Sequence, residues 1–161
     1  MSRNSAPDRS VVRLHGFSAA GLCATLALLA GGCGEARLAH TCSVTDKQFI
    51  STAQLNLASL DLWAQQYLSG AVKAHVVVDQ AKLAADTVSQ IQPRDPSLTK
   101  TRLLLDAMFT EYGRAIQARS RRRDAGPHMY RAYGLANFAH DVLVQAQPAL
   151  KAQGCDIAPL L

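Results

Sequence analysis

The chain of 161 residues is poor in aromatic side chains, which make up 6% of the total and include a single tryptophan. Few aromatics beside abundant alanine and leucine favour helix over sheet. The sequence also contains no Asn-x-Ser/Thr sequon, no glycine-rich phosphate loop and no Cys-x-x-Cys pair. Without these common motifs, we do not expect nucleotide binding, thiol redox chemistry or covalent haem attachment.

Motifs of hydrolytic and metal catalysis are missing as well. There is no Gly-x-Ser-x-Gly nucleophile elbow and no Glu-x-x-His pair of the di-iron bundles. The acids in the middle of the predicted helices lie among polar positions, as expected of a solvated face. They are Asp79, Asp86, Asp106, Glu111 and Asp141. We therefore expect a protein that is not an enzyme and carries no cofactor.

The first 32 residues have the pattern of an export signal. Three arginines within the first 13 residues precede an apolar segment over residues 16–30, and two glycines follow it. The run Leu-Ala-Gly-Gly-Cys that ends at Cys33 resembles the lipobox of bacterial lipoproteins. This resemblance implies that residues 1–32 are removed and that Cys33 is lipidated, so that a lipid anchor holds the protein on the extracytoplasmic face of the cell membrane.

Two other fates of the leader remain open. The apolar segment is shorter than the roughly 20 residues of a spanning helix, yet it would serve as a retained anchor if it were not cleaved. Ordinary signal peptidase would instead cut after Ala36, because Gly34 and Ala36 are small.

With lipidation, residues 1–32 are the signal, 33–43 an anchored linker and 44–161 one domain. The leader holds three arginines and one aspartate, so a net charge of +3 of the total +5 remains after cleavage.

Apolar residues at helical spacing predict four helices in residues 44–161. Thr45 as N-cap with Gln48 three residues on, and Val44 packed on Phe49, mark the first start. Leu55, Leu62 and Trp63 lie beside the first stripe and predict burial against more than one neighbour. The four stripes are Ile50, Ala53, Leu57, Leu60, Ala64 and Tyr67; Ala74, Val77, Ala81, Ala84, Val88 and Ile91; Leu98, Leu105, Met108, Tyr112 and Ala115; and Met129, Tyr133, Ala136, Ala139, Leu143 and Leu150.

Turn residues separate the stripes. Asp95-Pro96 is expected to cap and begin the third helix, and Gly126-Pro127 breaks the chain before the fourth. Pro148 is expected to kink or end the last helix, and Gly154 to terminate it. Ser69-Gly70 is the weakest boundary, since a lone glycine costs only about 1 kcal/mol inside a helix, and one long first helix is the alternative there.

Cysteine placement selects between these topologies. If Cys23 leaves with the leader and Cys33 carries lipid, Cys42 and Cys155 remain, and an exported pair is most simply a disulfide. In an up-down-up-down arrangement, the start of the first helix and the end of the fourth share a pole, so the two cysteines meet. We predict an all-α, antiparallel four-helix up-down bundle closed by a terminal disulfide; two free thiols are the alternative.

Histidines and aromatic residues suggest two weaker sites. His75 and His128 begin the second and fourth helices and would share one pole, although a firm metal site needs three or four ligands. A cavity between helices near five residues would suit a small-ligand, haem or metal carrier. These residues are Tyr67, Met108, Tyr112, Tyr133 and His140. Such side chains are more often plain core, and we predict no metal site.

The most distinctive polar segment contains Arg119, Arg121, Arg122 and Arg123 near the end of the third helix. Cations there complement the helix dipole, but four exceed that need. Guanidinium groups suit phosphate and carboxylate, which predicts an anionic wall polymer or envelope protein as partner. The location and the lack of interleaved aromatics argue against nucleic acid. We expect a non-catalytic interaction or structural module, with the small-ligand carrier as the alternative.

Overall fold

The computed structural model describes residues Thr41–Leu161, which belong to one compact unit. The predicted signal over residues 1–32 and the lipidation at Cys33 lie outside the described residues. The described part consists of four α-helices and a short terminal 3-10 helix. The helices are α1 (Val44–Leu68), α2 (Ala74–Ser89), α3 (Pro96–Ser120) and α4 (Gly126–Ala152), and the 3-10 helix is Ala158–Leu160. None of these helices is both long and apolar enough to cross a membrane.

Contacts between helix ends order the four helices. Cys42 before α1 forms a disulfide with Cys155 after α4, with a Cα–Cα distance of 5.1 Å, and the Cys42 amide donates to the Gln153 carbonyl at 2.7 Å. Asp46, in the first turn of α1, accepts from the amide of Asp95 at the start of α3. The starts of α1 and α3 and the end of α4 therefore share one end, the disulfide pole. The α3–α4 turn lies at the opposite, distal pole, and the predicted disulfide is confirmed.

Helix α3 is the centre of the packing. It packs extensively against both α2 and α4, while α1 packs mainly on α2. Gly113 of α3 faces Ala81 of α2 closely, since a Cβ at residue 113 would lie 3.4 Å from the alanine Cβ. The fully buried large side chains include Phe49, Phe109 and Leu98. In the described part, α1 and α4 are joined at the disulfide pole but do not pack along their lengths, which leaves one side of α1 without a helix neighbour.

The start of α1 differs from the prediction. Ser43, not Thr45, is the N-cap, and it forms a capping box with Asp46. The sequence holds two overlapping capping boxes, Ser-x-x-Asp and Thr-x-x-Gln, and local pattern alone does not rank them. The box with Ser43 and Asp46 is the one that forms, because the Asp46 carboxylate also accepts hydrogen bonds from the amides of Arg94 and Asp95. The predicted contact of Val44 with Phe49 is wrong, since Val44 is 81% exposed and Phe49 is fully buried.

The predicted burial of the residues beside the first stripe is also wrong in part. Leu55 is 70% exposed and Leu62 is 52% exposed, whereas Trp63 is partly buried against the core. In α4, Tyr133 is 67% exposed although its spacing placed it in the stripe. Leu55 and Leu62 lie on the face of α1 opposite its buried residues, where no helix of the described part packs, and Tyr133 lies on α4, which α1 does not cover along its length.

The other predicted boundaries agree with the structure, except that Pro148 does not end the last helix. Gly70 has φ +80° between α1 and α2, so two separate helices are confirmed there. Asp95 caps α3, accepting from the amides of Ser97 and Leu98, with proline at the first helical position. Pro148 lies inside α4, which continues to Ala152, and Gly154 follows with φ +81°. The glycine turns the chain so that Cys155 reaches Cys42.

Candidate functional site

The four predicted arginines are brought together at the distal pole. Arg119 lies in the last turn of α3, Arg121 is the C-cap, and Arg122 and Arg123 form the following turn. We call these four residues the arginine cluster. All four are exposed, and none forms an ion pair with any residue of Thr41–Leu161. Asp124, the nearest acid in the chain, accepts from the Gly126 amide at 2.8 Å.

The backbone at the end of α3 follows a Schellman motif. The Arg123 amide donates to the Ala118 carbonyl at 2.9 Å, and the Arg122 amide donates to the Arg119 carbonyl at 3.0 Å. This motif requires a left-handed residue just past the cap, and Arg122 holds that position with φ +56°. The same motif ends α1 and α4, where Gly70 and Gly154 take the left-handed position.

An arginine at this position is unfavourable for the fold. A left-handed conformation costs a residue with a Cβ roughly 1–2 kcal/mol, and glycine avoids that cost. The α3 turn therefore places a guanidinium group where glycine would be more stable, unlike the ends of α1 and α4. With no carboxylate of the described part paired to it, the cluster presents a positive field and planar donors that match phosphate and carboxylate oxygens.

An ion-pair network in the second half of α3, about two helical turns before the cluster, ties α3 to α4. Glu111 of α3 contacts Arg114 at 2.6 Å, His128 at 2.8 Å and Arg131 at 2.9 Å, the last two belonging to α4. The hydrogen bond with His128, helped by Arg131 and Arg114 against the opposing effect of burial, lowers the pKa of Glu111 to about 2. One carboxylate facing three cationic or protonatable groups does not cancel the positive charge of this pole.

The Glu111 network predicts a pH-dependent contribution to stability. Because the folded pKa is depressed, the contribution is present above the ordinary pKa of 4.5 and is lost as the pH falls through about 2. Glu111→Gln should cost about 1 kcal/mol at neutral pH, since Arg114 and Arg131 are more than half exposed and solvent screens them. Urea unfolding at several pH values should show the cost shrinking in acid. Asp79→Asn, at an exposed acid of α2, is the control and should show no such trend.

The structure separates the weaker candidates. His128 contacts Glu111, and His75 is exposed at the start of α2. In the described part, the group of three potential metal ligands within 4.8 Å is Cys42, Asp46 and Cys155, and both of its sulfurs are in the disulfide. Neither histidine belongs to it. The geometry therefore offers these residues little capacity for a metal ion.

The residues proposed for a small-ligand cavity do not enclose one together. Met108 is buried and Tyr67 is partly buried, but Tyr133 and His140 are exposed. Burial raises the pKa of Tyr112, with smaller effects from nearby Tyr133. A surface depression of about 770 Å³ lies instead at the disulfide pole, and a second of about 420 Å³ lies beside the end of α4. None of the five carrier residues lines either depression.

Two features of the structure escaped the sequence patterns. Asp46 was not singled out, because its role depends on amides 48 and 49 residues away along the chain. The outward-facing leucines of α1 were assigned to the core, although their 3–4 spacing was visible. Comparison with known proteins found no matching family model, no similar curated protein and no similar solved structure.

Proposed function

We propose that this chain is a non-catalytic, lipid-anchored protein of the bacterial envelope whose four-helix domain binds an anionic wall polymer through the arginine cluster. The observation that carries the proposal is the gathering of four exposed guanidinium groups at one pole, without ion pairs in the described part. Binding to an acidic envelope protein is the other form of the same interaction. The lipid anchor is inferred from the leader and Cys33.

The position of the cluster supports a partner other than the anchoring bilayer. Cys42 lies at the disulfide pole, and α3 runs 25 residues, about 37 Å at 1.5 Å per residue, before the cluster begins its turn. A chain tethered at Cys33 would be attached nine residues before Cys42. The guanidinium groups would then point away from the membrane, toward the space that a wall polymer or neighbouring protein occupies.

The test compares binding to a linear polyanion. Replacing Arg121, Arg122 and Arg123 together by serine should weaken binding of the full chain to inorganic polyphosphate about 10- to 100-fold, at roughly 0.5–1 kcal/mol per exposed charge contact. The affinity of the wild-type chain for polyphosphate should also fall more steeply with salt concentration than that of the triple serine variant. The matched control replaces the exposed Lys73, Lys82 and Lys100 by serine, which removes the same charge elsewhere. Equal losses in the two variants would reduce the effect to net charge and contradict the proposal.

A single substitution separates binding from helix capping. Arg122→Gly removes one guanidinium group and relieves the left-handed backbone, so it should stabilise the fold by about 0.5–1 kcal/mol. If the cluster serves binding, this more stable variant nevertheless binds polyphosphate more weakly. Unchanged affinity would mean that the arginine is only part of a helix end. Vesicles of anionic phospholipid are the third probe, and a preference for them over polyphosphate would assign the cluster to a lipid surface.

A further inference from the structure

The outer face of α1 carries exposed apolar residues that nothing in the described part covers. Val44 is 81% exposed, Leu55 70% and Leu62 52%, and Ala58 between the leucines is exposed as well. With Gln48 and Ser51, they recur at alternating steps of four and three residues over about 27 Å. This is the spacing of a coiled-coil seam. We call these six residues the outer stripe. It lies opposite the buried face that contains Ile50 and Leu60.

Charges beside the outer stripe are arranged symmetrically about one residue. Lys47 and Asp61 are both exposed on the same flank, and each is seven residues from Gln54. The opposite flank carries only uncharged polar residues. They are Thr45, Thr52, Ser59 and Gln66. A two-fold axis perpendicular to α1 at the level of residues 53 and 54 brings the lysine beside the aspartate position of a second copy, within about 3 Å along the helix, so the flank is complementary to itself.

We propose that the outer stripe pairs with the outer stripe of a second copy of this chain, with the two α1 helices antiparallel. In this register, Leu62 packs on Val44 of the second copy, Leu55 packs on Ser51 and Ala58 packs on Gln48. Lys47 then faces Asp61 of the second copy, twice per dimer. The register that aligns the seam residues is also the one that pairs the charges. The proposal depends on α1 alone and not on the arginine cluster.

The charges favour the antiparallel arrangement over a parallel one. In a parallel pair in register, each flank residue faces the opposite flank of the other helix, so Lys47 meets Thr52 and Asp61 meets Gln66. No opposite charges pair in that case. A seam containing Ser51 and Gln48 buries little apolar area per layer, so the charge pairs contribute an appreciable share of the orientation preference.

Sedimentation equilibrium of the full chain tests the pairing. The wild-type chain should dimerise reversibly, and Leu55→Glu should raise the dissociation constant at least about tenfold by placing a charge in the seam. Leu103→Glu is the matched control, because Leu103 is 54% exposed on α3, and it should leave the dissociation constant unchanged. Circular dichroism melting should confirm that both variants fold, as expected for exposed positions. A chain that stays monomeric at every concentration, or a dimer indifferent to Leu55→Glu, overturns the proposal.

Charge exchange tests the orientation. Lys47→Asp alone and Asp61→Lys alone should each weaken dimerisation about threefold to tenfold, because each creates two like-charge pairs in place of two attractive ones. The chain carrying both substitutions should recover the wild-type dissociation constant, since the pairs are then restored in reverse. A double variant as weak as the single variants excludes the antiparallel register. Single variants with the wild-type dissociation constant exclude the antiparallel register as well.

Discussion

Replacing Cys42 and Cys155 together by serine should lower the free energy of unfolding by about 3–5 kcal/mol, one of the two largest effects expected in this protein. The bridge joins residues 113 apart, so its loss releases nearly the whole described chain in the unfolded state. It also removes the covalent tie between the ends of α1 and α4, which do not pack along their lengths. The α1 end should therefore loosen first.

Urea unfolding of the wild-type chain with and without reductant, beside the double serine variant, measures this effect. Reduced wild type and variant should have similar midpoints, and reductant should not change the variant. Hydrogen exchange should show α1 amides losing more protection than those of α3, which packs against both α2 and α4. An oxidised wild-type chain no more stable than the variant would contradict the stabilising role of the bridge.

Asp46→Ala should be nearly as damaging, with a cost of about 3–4 kcal/mol. Asp46 is 3% exposed, and its carboxylate accepts from the amides of Ser43 at 3.0 Å, Arg94 at 2.7 Å and Asp95 at 3.1 Å. One side chain thus caps α1 and holds the start of α3 beside it. Alanine leaves these partly buried donors without an acceptor, and such groups are costly to leave unpaired.

The matched comparisons are Asp46→Asn and Asp95→Ala. Asparagine keeps one acceptor oxygen and should cost about half as much as alanine, and loss of the ordinary α3 cap at Asp95 should cost about 1 kcal/mol. Burial alone would raise the pKa of Asp46, but the bonds from Ser43, Asp95 and Arg94 hold it below the ordinary 3.8. Its contribution is therefore present above that pKa and fades in acid. Unfolding free energies that rank Asp95→Ala as the more damaging variant would contradict this account.

The confirmed predictions rest on short sequence features that permit only one local structure. Asp95-Pro96 can begin a helix and cannot easily continue one, and α3 begins at Pro96. The glycine at residue 70 takes a left-handed conformation, so α1 and α2 are separate helices. The pairing of Cys42 with Cys155 is expected because these two cysteines remain after export, and it selects alternating helix directions. In each case, neighbouring residues or the order of elements were enough.

The wrong predictions concern choices that distant residues make. Two capping boxes compete at the start of α1, and the amides before α3 favour the one with Asp46. Leu55 and Leu62 were assigned to a buried flank, but they lie on the face of α1 opposite the buried Ile50 and Leu60, and no helix of the described part packs on that face. The arginine cluster could be located from the sequence. Only the tertiary structure shows that its arginines form no ion pair within Thr41–Leu161, while Glu111 pairs with Arg114 and Arg131.

The sequence by itself determined the helices, their turns and the pair of sulfurs, because backbone preferences and apolar periodicity act over a few residues. The tertiary structure decided which side of α1 stays uncovered, which carboxylate joins two helix starts, and which arginines remain without partners in Thr41–Leu161. These properties depend on which surfaces meet in space. Only the packed chain brings together the amides, carboxylates and guanidinium groups that settle them.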